Sequence, residues 1–180
     1  TDGSRIYASF STNDVFCLDL EGNLLWLRGL TFDRPNASSS IGMASSPLVL
    51  ERTVVLQVET STDSFAAAID RETGMDVWRI ARPRKPSWST PLLVPRATRA
   101  EDTAVLAGQD ETSGHDPATG STLWTYKAPG YCIPTSVAAG GIVFVPSEGI
   151  TALRAVPGSS APEVVWQANR QILISPCQGF

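Results

Sequence analysis

The sequence predicts an all-β fold assembled from repeated antiparallel four-stranded sheets, and three observations predict it. The first is a recurring hairpin signature. It reads A-A-I-D-R-E-T-G-M-D-V-W over 67–78, H-D-P-A-T-G-S-T-L-W over 115–124 and, one residue shorter in the turn, L-D-L-E-G-N-L-L-W over 18–26. In each copy Trp stands four residues after Gly: Gly22 and Trp26, Gly74 and Trp78, Gly120 and Trp124. A weaker fourth copy runs through Leu153, Gly158 and Trp166, with Arg154 in place of the Asp and a longer turn. The second observation is spacing, since successive tryptophans lie 52, 46 and 42 residues apart. The third is that no window shows a convincing period of 3.6 residues, so almost no helix is expected. A period in the forties with several short strands and a recurring aromatic is the pattern of propeller blades.

The hairpin itself has a physical rationale. Glycine supplies the positive φ that a tight turn needs, and an Asp side chain can bond the backbone of its own turn. This assigns Asp19, Asp70 and Asp116 to turn closure with Gly22, Gly74 and Gly120. Trp26, Trp78, Trp124 and Trp166 then sit at the ends of outer strands, where each ring can bury on the order of 150–250 Å² against the next sheet.

The strands follow in order. Arg5 to Phe10, Val15 to Leu20 and Leu24 to Arg28 make the first unit. Gly29 to Ala44, with Pro35, Asn36 and three serines, is a long loop. The second unit takes Ser45 to Leu50, Thr53 to Val58, Ser64 to Asp70 and Met75 to Ile80. The basic, proline-stiffened R-P-R-K-P-S follows at 82–87. The third takes Trp88 to Val94, Thr103 to Gly108, Thr112 to Asp116 and Ser121 to Tyr126. The fourth opens near Thr135 and continues through Gly141 to Val145, Ile150 to Ala155 and Val164 to Gln167. The blades thus span about 1–30, 45–80, 88–126 and 135–168 of one propeller region covering 1–180. Residues 171–180 read as the start of another blade or as a closing strand. The first unit lacks an opening strand, so the chain is expected to be part of a seven- or eight-bladed ring, and its open strand edges invite further blades or self-association.

Composition narrows the partners. With 42% hydrophobic residues and a net charge of −4, the 180-residue chain fits a globular domain and argues against nucleic acid as the main partner. No apolar run reaches the roughly 18–20 residues that span a bilayer. Cys17, Cys132 and Cys177 are too few and scattered for a disulfide framework or zinc site. Whether any two of them pair stays open. Cys17 reads as a buried free thiol.

The repeats resemble the PQQ-like, or quinoprotein-type, propeller family, whose motif is roughly Ala-x-Asp-x-x-Thr-Gly-x-x-x-Trp. Ala68, Asp70, Thr73, Gly74 and Trp78 match it. Asp116, Thr119, Gly120 and Trp124 match again, with Gly114 where Ala is expected. The family includes quinone-dependent alcohol dehydrogenases and the non-enzymatic BamB-type propellers. The resemblance implies a bacterial protein, periplasmic or otherwise exported, in which the Trp locks neighbouring blades together.

A dehydrogenase of the family carries a quinone, a calcium or lanthanide ion held by Glu, Asn and Asp, an Asp base and often a vicinal Cys-Cys pair. This chain has no Cys-Cys pair, and no acid cluster reads as a hard-metal site. No cofactor and no catalytic residue are predicted; PQQ and Ca²⁺ enter only if the chain is a piece of a PQQ-dependent alcohol or sugar dehydrogenase. A third alternative is a sensor or ligand-binding domain of a larger protein. The only histidine, His115, aligns with Leu18, Ile69 and Leu153 and reads as a hydrogen-bonded strand residue. The candidate surface is the loop face, where Asp14, Glu59, Asp63, Asp110, Glu111 and Glu148 stand near the channel mouth beside Arg82, Arg84, Lys85, Trp88 and Tyr131. The expected role is a non-catalytic scaffold that binds a partner protein or a small polar ligand there.

Overall fold

Among the described residues, fifteen strands form four separate antiparallel sheets laid side by side in chain order. The computed structural model describes residues 1–37, 42–95, 98 and 102–169. The first sheet has three strands, β1 (Arg5–Ser9), β2 (Asp14–Asp19) and β3 (Leu24–Gly29). The second has β4 (Leu48–Val49), β5 (Thr53–Val58), β6 (Phe65–Asp70) and β7 (Asp76–Ala81). The third has β8 (Leu92–Val94), β9 (Thr103–Ala107), β10 (Glu111–His115) and β11 (Thr122–Lys127). The fourth has β12 (Val137–Ala139), β13 (Ile142–Pro146), β14 (Gly149–Arg154) and β15 (Glu163–Asn169). This is an arc of propeller blades, as the repeat spacing predicts.

The opening strands are shorter than the sequence implies. β4 has two residues and β8 three, because Pro47 and Pro91 lack the N–H that would extend the ladder. The 29–44 loop contains one helical turn, α1 (Leu30–Asp33), and a turn of 3₁₀ helix over Pro35–Ala37. The expected strand over 172–176 and Cys177 lie outside the described residues. Cys17 is buried with its thiol pushed up by that burial, and both it and Cys132 are free.

Alternation along each strand divides the side chains between two faces. Tyr7, Val15 and Cys17 of the first blade pack on Val54, Leu56, Val58, Ala67 and Ile69 of the second. The opposite face of the second blade, with Val55, Ala66, Ala68 and Trp78, packs on Leu106 of the third. Val105 and Trp124 of the third then meet Val143, Val145 and Leu153 of the fourth. The core is therefore a series of inter-blade layers with no common centre.

The outer hairpins share one register. Cys17 pairs with Trp26, Ala68 with Trp78, Gly114 with Trp124 and Ala152 with Trp166, and a bulge follows each of these pairs directly. The fourth copy, weak in sequence, is thus built like the other three. In the second copy Asp70 Oδ1 accepts from the backbone N–H groups of Glu72 and Thr73 and from Thr73 Oγ1, at 2.9–3.0 Å. These bonds, led by the Thr73 N–H, hold its carboxyl below the usual range. Asp19 is held low in the same way, chiefly by Asn23. In the third copy Asp116 accepts from Ala118 N–H and Thr119 Oγ1.

Gly120 needs its missing side chain twice over. Its φ is +75°, and a Cβ there would lie 2.8 Å from the Trp78 ring of the preceding blade. Gly120→Ala should therefore cost about 1–3 kcal/mol through strain and overpacking. A urea titration would show it as a lower midpoint at unchanged slope.

Candidate functional site

The polar residues of this chain separate into a sealed set between blades and an exposed set on the loops. The sealed set begins at Glu59. Along β5, Val54, Leu56 and Val58 face the first blade, so Val55, Gln57 and the following Glu59 face the third. The Glu59 side chain is 1% exposed and accepts from Arg82 Nε at 2.6 Å. Its other oxygen comes so close to Gly108 that a Cβ there would sit 2.7 Å away. Burial raises the Glu59 pKa, against the pull of Arg82.

Arg82 is a bolt through the second joint. From the end of the second blade its Nη1 donates to Ser113 Oγ at 2.6 Å and to Glu111 Oε1 at 3.2 Å, both on the third. Ser113 Oγ lies 2.9 Å from His115 Nε2, and His115 Nδ1 lies 3.1 Å from the Gly120 carbonyl. One proton placement gives each of these contacts a single donor. Arg82 donates to Ser113, Ser113 donates to Nε2, and Nδ1–H donates to Gly120. His115 is accordingly neutral, its pKa pushed down to about 4 by burial and further by Arg82, although its bond to the Gly120 carbonyl favours the proton.

A serine hydroxyl on an imidazole nitrogen has the look of an activated nucleophile. Here His115 is 2% exposed and Ser113 1%, and the second imidazole nitrogen is spent on a carbonyl. The arrangement seals a blade joint and offers no place for a substrate. It carries a pH signature. Unfolded, His115 titrates near 6.5; folded, near 4. Its contribution is complete above pH 6.5, declines as the pH falls and is gone below about 4, a loss of at most about 3 kcal/mol. Glu59, with its raised pKa, acts in the opposite sense, and Glu111 also faces Arg82. The His115 part is read as the difference between wild type and His115→Asn. The wild type should lose stability faster between pH 6.5 and 4.

This geometry corrects the loop face in four places, the first being Arg82, expected among the exposed loop cations and buried in the joint between blades. Glu59 and Glu111 were expected among acids at the channel mouth, and both are bonded to Arg82 instead. Strand alternation, carried one residue past β5, turns Glu59 inward. Trp88 is a packing residue whose Nε1 donates to the Gly42 carbonyl at 2.9 Å. Asp14 accepts from Thr12 Oγ1 at 2.7 Å, and Asp63 faces Arg34 at 3.4 Å. The groups left open to solvent are Asp110, Glu148, Arg84, Lys85 and Tyr131. Apolar side chains accompany them on loops at the same end: Phe10 is 55% exposed and Ile133 70%.

The blade-docking residues are placed as follows. Trp26 Nε1 donates to the Arg71 carbonyl at 2.8 Å and its ring covers Gly74. Trp78 Nε1 donates to the Pro117 carbonyl at 2.9 Å and its ring covers Gly120. Trp124 is buried but lies over its own sheet, so close to Gly114 that a Cβ there would enter the ring. This explains why Gly stands where the repeat has Ala68. Among the described residues its Nε1 has no hydrogen-bond partner. Trp166 is 44% exposed beside Phe144.

A network between the first two blades escaped sequence reading. Arg71 joins Asp2, Tyr7 Oη and the carbonyls of Leu50 and Glu51, while Arg5 joins Glu72 at 2.6 Å. Burial opposes the Asp2 charge, but bonds from the Ser4 and Arg5 N–H groups outweigh it and hold that carboxyl well below its usual range. The side-chain partners lie more than sixty residues apart, and no local pattern announces them.

A family model described as outer membrane protein assembly factor BamB matches residues 62–173. No curated protein matches the sequence. Among solved structures, BamB from Moraxella catarrhalis is similar at 16% identity and a TM-score of 0.58, over 83% of this chain and 42% of that one. Quinohemoprotein alcohol dehydrogenase from Comamonas testosteroni is similar at 14% identity and a TM-score of 0.64, over 92% and 34%. Quinohemoprotein alcohol dehydrogenase ADHIIG from Pseudomonas putida HK5 gives 16%, 0.68, 92% and 32%. The chain thus spans less than half the length of each.

Proposed function

The chain belongs to the PQQ-like β-propeller family, and from that membership we propose that it is a non-catalytic binding scaffold that meets a partner protein through its loop face. The observation that carries this reading is the division of its polar groups. Those with catalytic potential, Glu59, Ser113 and His115, are consumed in one blade joint. Those on the loops, Asp110, Glu148 and Arg84, are exposed beside Tyr131 and Ile133. Mixed charges around exposed apolar side chains suit a protein surface, where aromatic groups supply much of the contact energy.

Likeness to BamB and to dehydrogenases at 14–16% identity bears on the fold alone. A quinone–calcium centre is a poor fit to the donors present. Among the described residues no three His, Cys, Asp or Glu side chains group closely enough to hold a metal ion. Nor is any described helix long and apolar enough to cross a membrane. An exported setting is part of the proposal, because the family model is described as an outer-membrane assembly factor.

The test is incubation of the chain with pyrroloquinoline quinone and Ca²⁺, then gel filtration and dye-linked alcohol oxidation. The expected result is no retained quinone and no turnover. Retained quinone with turnover would overturn the proposal in favour of a dehydrogenase fragment.

A further inference from the structure

Most carboxylates at the loop end of the molecule are engaged within it. Glu59 and Glu111 bond to Arg82, Asp14 accepts from Thr12, and Asp63 faces Arg34. Asp110, in the turn between β9 and β10, and Glu148, in the turn between β13 and β14, are both exposed. Among the described residues, neither side chain has a hydrogen bond or ion pair. Asp110 is exposed with the loops on both sides of it in place. Its neighbour Gln109 donates through Nε2 to the Pro86 carbonyl at 2.6 Å and accepts at its own carbonyl from Gly130 N–H at 2.8 Å.

The loop that joins the third blade to the fourth lies between these two turns and is fixed at successive residues. After Gly130, Tyr131 N–H donates to the Pro146 carbonyl at 3.4 Å, and the Cys132 carbonyl accepts from Trp88 N–H at 2.6 Å. The approach is close enough that a Cβ on Gly130 would lie 2.5 Å from the Gly108 carbonyl oxygen. These contacts set Tyr131 between the turn of Asp110 and the turn of Glu148. Tyr131 is nonetheless 44% exposed, and Ile133, two residues on, is 70% exposed. A backbone already fixed at three successive residues has little freedom left to lose on binding.

The patch thus joins an aromatic and an aliphatic side chain to two unpaired negative charges. Aromatic faces attract cations, and carboxylates beside them add to the attraction. A long basic side chain suits such a surface, with its alkyl stem on apolar groups and its charged end among the carboxylates. A metal ion suits it poorly. A calcium ion takes roughly six or more oxygens, and this patch offers two carboxylates on separate turns. Arg84 and Lys85 lie beyond Pro86, on the far side of Gln109, and bound the patch there.

Resting on the scaffold reading, we propose that this patch grips a lysine or arginine side chain from a basic segment of the partner protein. Tyr131 takes the cation on its ring face, Asp110 and Glu148 flank it, and Ile133 receives an apolar neighbour of that residue.

The test screens the whole chain, fluorescently labelled, against a bead library of random dodecapeptides. Retained peptides should be enriched in Lys and Arg and poor in Asp and Glu. The tightest of them is resynthesised and titrated by fluorescence anisotropy at low salt. Tyr131→Leu should weaken binding about two- to fivefold, while Tyr131→Phe, which keeps the ring, should match wild type. Asp110→Asn/Glu148→Gln should weaken it about fivefold, and added salt should weaken the wild type in the same way. Replacing the peptide's basic residue with norleucine should remove the effect of both variants, a coupling that a merely structural role would not produce. All of these substitutions fall on exposed side chains, so melting temperatures should stay within a few degrees of wild type. Enrichment of acidic or uncharged peptides would overturn the proposal. So would retention of no peptide, or full affinity in Tyr131→Leu and Asp110→Asn/Glu148→Gln. Each of those results leaves the scaffold reading standing, which retained quinone with turnover overturns instead.

Discussion

Arg82→Ala should lower the stability of the chain by about 3–5 kcal/mol, the usual cost of stranding one member of a buried ion pair. The substitution leaves the Glu59 carboxylate inside the joint without its 2.6 Å partner and strips Ser113 and Glu111 of a donor. Against a total of about 5–15 kcal/mol for a typical domain, that is a large share. Chemical denaturation of the single variant and of Glu59→Leu/Arg82→Met checks it. The double variant removes both charges and should recover most of the loss, because apolar groups of similar volume often replace a buried pair at little cost. A single variant within about 0.5 kcal/mol of wild type would mean that Arg82 is a solvated surface charge.

Trp78→Ala should cost about 3–5 kcal/mol, as expected for an aromatic side chain deleted from a packed layer. The ring lies over Gly120, its indole N–H satisfies the Pro117 carbonyl, and its flank meets Val55, Ala66 and Leu106. Trp78→Phe separates these contributions. It keeps a ring on Gly120 and should lose only about 1 kcal/mol for the missing hydrogen bond. Equal losses from both variants would show that packing contributes little at this joint.

The fold was legible because its signals are local and repeated. Asp, Gly and Trp at fixed offsets specify turn, positive φ and outer strand within a dozen residues, and four copies of one register carry the same information. The loop face was only partly legible. Glu59 reads as a loop acid in any scan of composition, whereas the alternation Val55, Gln57, Glu59 turns it inward. Its partner Arg82 lies 23 residues on, in a segment that reads as an exposed basic loop. The polar run Thr112, Ser113, Gly114, His115 within a buried strand was the available clue, since buried polar groups require partners. Arg71 and Asp2, 69 residues apart, had none.

Recognition through the loop face is tested most directly by affinity capture from an envelope extract. Wild type is compared with Asp110→Lys/Glu148→Lys/Tyr131→Ala, whose substitutions fall on exposed side chains outside the blade joints. The expected result is a defined partner retained by wild type and lost, by tenfold or more, in a variant that melts within a few degrees of it. Equal retention by both proteins would contradict the reading and move recognition to another surface.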